Sequence, residues 1–568
     1  MDLKKVAIKL VDKVPFLLYL TDVVSLMAHP VEQFSLWTDY FKTRQDAAFL
    51  RTFELKHSPD KIALLVLASD MVYEIKIQAM LATGLKLQGW KVVILLSRRY
   101  VWAHRYMKAF GIGDFVHWED VKLNSKEKEN CNNDAKAFLS VPMTFQSVKK
   151  WIYKGALIGP QVISSVSRKL MIGAPDVKDP IVQKNLRELL PETLEAVHLA
   201  GHLLDKVKPN LVSLIEANYA LMGALVDTAI SRKISVTQTV QPARDDAMMF
   251  KKLNKETCRI HPASVAKSSL DFVAKMPWTE KQEKDLWQEF GKRYGGAWFL
   301  QSRNQPGVKE KTRDEIIQQL QLDPAKKNAV VFSPVLWDAN LFYGEDLFED
   351  FGDWFIQTVR AACANPNVNW IIKLHPANAW KRARENVVSE LAEITLIRKH
   401  IGVLPSYVKL LFPDTDISTF SLFKFADYGL TVRGTIGMEL PCLGVPVFTA
   451  GTGRFSGLGF TVDSKSKEEY LERLSKIQEY PRLSEEQTLL AKQHAYCAFK
   501  LRPWIMKSFK AQFNYKKKGV HPLDNNLFFT VSSIDEITAN GDLAKWAAWA
   551  GDENKVDYLD TDAETNSA

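Results

Sequence analysis

Residues 62–96 read IALLVLASDMVYEIKIQAMLATGLKLQGWKVVILL. Residues 62–67 form an unbroken apolar run between polar neighbours, the pattern of a strand buried on both faces. Ala68-Ser69-Asp70 supplies a loop and N-cap region, residues 73–88 read as a helix, and Gly89 stops it. Residues 91–96 are then a second buried strand. Parallel strands require a crossover of this kind, so the stretch predicts an α/β fold.

The alternation recurs outward from there. A strand at 211–215, a helix through 230 and a strand at 234–240 complete a first series. A second series has strands at 329–332, 368–374, 408–412, 429–432 and 446–449. Helices at 348–363 and 418–425, and one opening at Gly434-Thr435, lie between them. Residues 467–479 and 484–500 read as closing helices. Two such series imply two Rossmann-like halves facing one cleft. The expected division is a helical extension at 1–58, a first Rossmann-like domain at 59–276 and a helical connection at 277–327. A second domain follows at 328–515, and 516–568 ends in an acidic, disordered tail. The polar run LNSKEKENCNNDAK at 123–136 reads as an exposed loop.

Composition narrows the class. At 568 residues the chain exceeds one core, and 46% hydrophobic with 25% charged residues is ordinary globular usage. The net charge of +9 conceals six acids against one lysine in the last eighteen residues, so the body is more basic than the total. Five scattered cysteines without a CxxC pair speak against disulfide or zinc scaffolds and for a reducing compartment. No arginine-rich arm or RNP signature is present, which ranks nucleic acid low as a partner. No apolar run reaches the roughly 18–20 residues that span a bilayer. The N-terminal stretch, with Leu3, Val6, Leu10 and Val14 at helical spacing between lysines, reads as a basic amphipathic helix. It either packs on its own domain or lies on an anionic membrane.

Ligands of doubly wound sheets sit beyond the carboxyl ends of the strands, so the residues after each strand are the candidates. Lys373, His375 and Pro376 end the strand at 368–374. An imidazole there can donate to a phosphate oxygen, and Pro376 suits a first helical turn whose free N–H groups favour an anion. Arg433, Gly434 and Thr435 follow the strand at 429–432. Glu439, one turn after Thr435, shares its face and is suited to accept from ribose hydroxyls. Gly451 to Gly457 is a glycine-rich loop in which Arg454 offers a forked cation and Ser456 a hydroxyl. In the first half, Asp245 is the candidate general base on an acceptor hydroxyl, and Trp337-Asp338 is a candidate ring platform. No GxGxxG, P-loop, GxSxG or HExxH motif occurs. Asp414-Thr415-Asp416 precedes a helix and reads as a cap.

The span 328–465 resembles bacterial capsule biosynthesis proteins of the GT-B glycosyltransferase type. The pieces that carry the resemblance are VVFSPVLWDA, KLHPA and FADYGLTVRGTIGMELPCLGVPV with its extension TAGTGRFSGLGFT. The resemblance implies a GT-B-like fold and transfer from a nucleotide sugar to a saccharide or lipid-linked saccharide. That activity uses no cofactor beyond the donor itself and no metal. It implies His375 as the phosphate ligand and catalytic group, Thr435 as its helix-start partner and Glu439 as the ribose carboxylate. Arg433-Gly434-Thr435 stands where related Kdo enzymes pair two hydroxyl residues, which leaves CMP-, UDP- and GDP-sugars open. The implied setting is cytoplasmic, peripheral on the inner face of the plasma membrane. A UDP-GlcNAc 2-epimerase-like enzyme and a non-catalytic scaffold of a polysaccharide complex are the alternative readings.

Overall fold

The computed structural model describes residues 27, 29–52, 60–172, 175–242, 244–302, 307–337, 342–344, 346–384, 390–514 and 521–561. The first half contributes strands Ile62–Val66 (β1), Lys91–Leu96 (β2), Phe115–His117 (β3), Leu211–Leu214 (β4), Ser235–Val240 (β5) and Ala247–Leu253 (β6). The second contributes Asn328–Phe332 (β7), Asn369–Lys373 (β8), Val408–Leu411 (β9), Tyr428–Thr431 (β10), Val447–Thr449 (β11) and Val462–Asp463 (β12). Trp504–Ile505 (β13) and a hairpin of Phe509–Phe513 (β14) with Asn525–Phe529 (β15) follow.

Apart from the β14-β15 hairpin, these strands form two sheets. One has the order β13-β6-β5-β4-β1-β2-β3 and the other β12-β11-β10-β7-β8-β9. The second is parallel throughout, as are β1 to β5 in the first. The expected α/β architecture of two Rossmann-like halves is therefore present. Its cause is the one read from the sequence: each apolar run is too buried for an exposed face, and a helix covers it on the way to the next strand.

Three features depart from the sequence reading. Residues 123–136 are not a loop but most of the helix Ser125–Ser140. Asn124 and Glu127 form a reciprocal capping box at its start, and Cys131 and Ala135, four apart, bury one face. Strand β6 was hidden by its lysines. Lys251 is nonetheless buried in an antiparallel strand beside β5, where it reaches the Ser264 hydroxyl at 2.6 Å and the Asp557 carboxylate at 3.7 Å.

The third departure concerns the chain after residue 500. It returns to the first sheet, with β13 antiparallel to β6 through Trp504 opposite Met248. Helix Asp542–Gly551 follows, with Trp546 in the same core as the crossover helix Val72–Leu87. The acidic stretch expected to be a tail is ordered through Thr561, because Asp557 is buried between Lys251 and Arg502 and Tyr558 packs on Phe250. The amphipathic N-terminal stretch and residues 562–568 lie outside the described residues. Among the described residues no helix is long and apolar enough to cross a membrane.

Candidate active site between the two sheets

The carboxyl ends of β4 and β5 face those of β7, β8 and β10 across a cavity of about 590 Å³. Lys373 closes β8. Alternation puts Ile371 and Lys373 on one face, with Ile371 in the apolar layer beside Phe332 and Leu411, and Lys373 at the open end of that layer. The residue is 2% exposed and its ammonium has no hydrogen-bond partner. Burial lowers its pKa to about 8. An uncompensated buried charge is costly, and a ligand anion in the cavity would supply the missing partner.

Two residues on, the His375 Nδ1 accepts the Ala377 backbone N–H at 3.1 Å. A neutral imidazole that accepts through Nδ1 carries its proton on Nε2. His375 is thereby fixed as an Nε2 donor at the cavity wall. Pro376 leads into the helix Ala377–Arg384, where the His375 carbonyl accepts from Asn378 at 3.0 Å.

After β10, the Thr431 hydroxyl accepts the Gly434 N–H at 3.1 Å and turns the chain back toward the cavity. Arg433, Gly434 and Thr435 all line it. Arg433 is ion-paired with Asp346 and lies over the Phe351 ring, 5.4 Å from its centre. The helix expected at Thr435 is a single turn, Ile436–Glu439, followed by a 3-10 segment, Leu440–Leu443. Pro441 cuts it short, and Gly444, at φ +73°, ends it in the left-handed conformation that suits glycine.

Glu439 consequently does not reach the cavity. Its Oε1 accepts from Arg293 Nε at 3.1 Å and from the Tyr294 hydroxyl at 2.6 Å, and the side chain is fully buried. The ribose contact expected of it is replaced by an internal ion pair. Asp245 is also placed elsewhere. Its carboxylate accepts the backbone N–H groups of Phe299 and Leu300 at 2.7 and 3.0 Å, capping the short helix Phe299–Ser302. Ser456 accepts from Gly453 N–H at 2.6 Å and donates to the Gly451 carbonyl at 3.2 Å, so it shapes the glycine-rich loop without lining the cavity. Arg454, held on that loop, does line it. Trp337 packs with Val335 and Ala377 rather than on a ligand surface, and Asp338 lies outside the described residues. Asp416 pairs with Lys311, and Ser418 rather than the 414–416 triplet caps the helix that follows.

The first-half wall holds side chains the sequence reading passed over. Tyr343 reaches across from the second half to donate to Asn218 Oδ1, and Gln238 donates to the Ile215 carbonyl at 3.1 Å. The His261 ring lies 5.2 Å from that of Tyr343, tilted by 54°, and contacts Arg454. The signal for it was present: His261-Pro262-Ala263 repeats the His375-Pro376-Ala377 triplet. Among the described residues the lining contains Lys373, Arg433 and Arg454 but no carboxylate, so the cavity is an electropositive one. No group of three or more His, Cys, Asp or Glu able to hold a metal ion occurs among the described residues.

No protein-family model matches the chain, and no curated protein sequence does. Solved structures do match. The Thermosulfurimonas dismutans KpsC beta Kdo 2,4 transferase aligns over 52% of this chain and 82% of its own at 14% identity, with a TM-score of 0.33. A Neisseria meningitidis UDP-GlcNAc 2-epimerase bound to UDP-GlcNAc aligns over 77% and 97% at 12% identity, with a TM-score of 0.26. The glycosyltransferase VinC in complex with dTDP aligns over 77% and 95% at 12% identity, with a TM-score of 0.22.

Proposed function

We propose that the chain is a GT-B-type glycosyltransferase that takes a nucleotide-activated sugar and builds a bacterial cell-surface, capsular polysaccharide. The observation that carries this reading is the wall after β8. There a buried ammonium without a partner, Lys373, adjoins an imidazole fixed as a donor, His375. Both suit the phosphate of a CMP-, UDP- or GDP-linked sugar, with Arg433 and Thr435 on the neighbouring strand end.

In the reaction the bond between the anomeric carbon and the phosphate oxygen breaks, a bond from that carbon to the acceptor hydroxyl oxygen forms, and the hydroxyl proton passes to the departing phosphate. Negative charge grows on the departing phosphate. Donors set in place beforehand stabilise it without reorganising, so the chain's own cations and His375 serve where other transferases use a metal. The acceptor, a saccharide or lipid-linked saccharide, enters from the side of the first sheet. Closure of the cleft excludes water that would hydrolyse the donor.

The test is thermal stabilisation of the purified chain by CMP-, UDP- and GDP-sugars, since a ligand of the folded state raises its melting temperature. One nucleotide should stabilise and the others should not; no shift with any of them ends the reading. Incubation with the donor alone separates an epimerase, which converts it to an isomer, from a transferase, which needs an acceptor.

We further propose a cytoplasmic setting with peripheral attachment to an anionic membrane. The helix Pro30–Asp46 supports it by leaving Val31, Phe34 and Phe41 exposed beside the equally exposed Lys42 and Arg44. Apolar side chains next to cations match the chemistry of an anionic interface. Replacing Phe34 and Phe41 by Ser should abolish cosedimentation with phosphatidylglycerol vesicles, and unaltered sedimentation refutes the attachment.

A further inference from the structure

The two His-Pro-Ala triplets are built alike. In each, the histidine Nδ1 accepts the backbone N–H of the alanine two residues later at 3.1 Å, Ala263 in one and Ala377 in the other. Each histidine lines the same cavity, His375 from the second sheet's end and His261 from the segment after β6 in the first. By the tautomer argument applied above, both rings carry their proton on Nε2.

At His261 that assignment creates a conflict. Arg454 Nη2 lies 2.9 Å from His261 Nε2. A guanidinium only donates, so two N–H groups are set against each other. Moving the ring proton to Nδ1 relieves Arg454 but opposes the Ala263 N–H instead. Protonating the ring makes both nitrogens donors and adds a positive charge beside Arg454. Burial, Arg454 and Arg433 in fact hold the ring's proton affinity well below that of a free histidine. The Arg454 Nε, also buried, has no partner of its own. Among the described residues no arrangement of hydrogens satisfies every donor of this pair.

We propose that His261 and Arg454 form an anion subsite that bridges the two sheets, completed when an oxyanion in the cavity displaces their direct contact and accepts from both. An oxyanion acceptor turns the conflict into two charge-assisted hydrogen bonds. His375 with Lys373 then grips one part of a substrate and His261 with Arg454 another, from opposite sides of the cleft. The nucleotide-sugar reading enters only in naming the anion's source. The oxyanion is either the second phosphate of a diphosphate link or a carboxylate on the sugar.

Inorganic pyrophosphate, whose binding needs no nucleotide, probes the subsite directly by titration calorimetry. Arg454→Gln and His261→Asn should each weaken it about tenfold, the loss of one charge-assisted hydrogen bond. Where Arg454→Gln does not fold, His261→Asn carries the test. The source is then read from paired ligands. A phosphate source makes Arg454→Gln weaken a nucleoside diphosphate more than the monophosphate. A carboxylate source makes it weaken a nucleotide uronate more than the matching neutral sugar. Pyrophosphate affinity unchanged in both variants overturns the subsite, whatever the nucleotides do. Pyrophosphate binding that depends on Arg454 in a chain that binds no nucleotide sugar leaves the subsite standing and ends the transferase reading.

Discussion

Arg293 and Glu439 meet in an ion pair of 3.1 Å with almost no exposure to solvent, Arg293 at 6% and Glu439 at none. The arginine comes from the helix Glu280–Tyr294, ahead of the second sheet, and the glutamate from the single turn after β10. The pair fastens that turn, and with it Thr435, to the connecting helix. Removing one partner of a buried pair leaves the other uncompensated, at a cost of about 3–5 kcal/mol. Glu439→Gln should therefore lower the urea midpoint sharply. Adding Arg293→Met should restore much of the loss, because the two effects are not additive.

Lys373→Met is expected to move stability and binding in opposite directions. Deleting an unpartnered buried ammonium should raise stability by about 1–2 kcal/mol in chemical denaturation. The same change should remove the stabilisation by nucleotide sugar.

The lowered pKa of Lys373 also fixes a pH dependence. The anion binds the protonated amine, so affinity in the parent chain should fall as pH rises through about 8, and the Met variant should show no such fall. For stability the sign is reversed. Between about 8 and the ordinary lysine value of 10.5, the unfolded chain holds a proton that the folded chain lacks, so folding gains with rising pH. Calorimetric titrations and denaturant melts from pH 6 to 10 check both slopes.

A β-carbon at Gly437 would lie 2.0 Å from the Phe455 ring, which is fully buried. Gly437→Ala should push Phe455 and the adjoining Arg454 out of place. A loss of about 1–3 kcal/mol of stability and weaker pyrophosphate binding are expected. Full affinity in this variant would show that the loop adjusts without moving Arg454.

Asp245→Ala should behave as the loss of a helix cap. About 1 kcal/mol of stability is expected to go, with donor affinity and turnover close to the parent values. A fall in kcat of roughly a hundredfold or more, the scale of a lost general base, would return Asp245 to the chemistry.

The parts of the fold that were legible in the sequence are those written locally. Runs such as 62–67 and 91–96 have one physical use, and His375-Pro376, at a strand end, lines the cavity. What failed depends on partners far along the chain. Lys251 reads as a surface residue until Asp557, which lies in the acidic stretch, is seen beside it. Glu439 looked free for a ribose because Arg293 is 146 residues away. Asp245 looked like a base in a loop because the two N–H groups it caps belong to Phe299 and Leu300. The helix Ser125–Ser140 was lost to its composition, since its burial rests on few small side chains.

The return of β13 to the first sheet has a consequence for synthesis on the ribosome. Domains usually fold as they emerge, amino end first. Here the edge of β6 and the ring of Phe250 stay uncovered until Trp504, Trp546 and Tyr558 have been made, after the whole second sheet. The half that begins first is finished last, so the growing chain carries an open strand edge from the completion of β6 until β13 is made, through the synthesis of the whole second sheet.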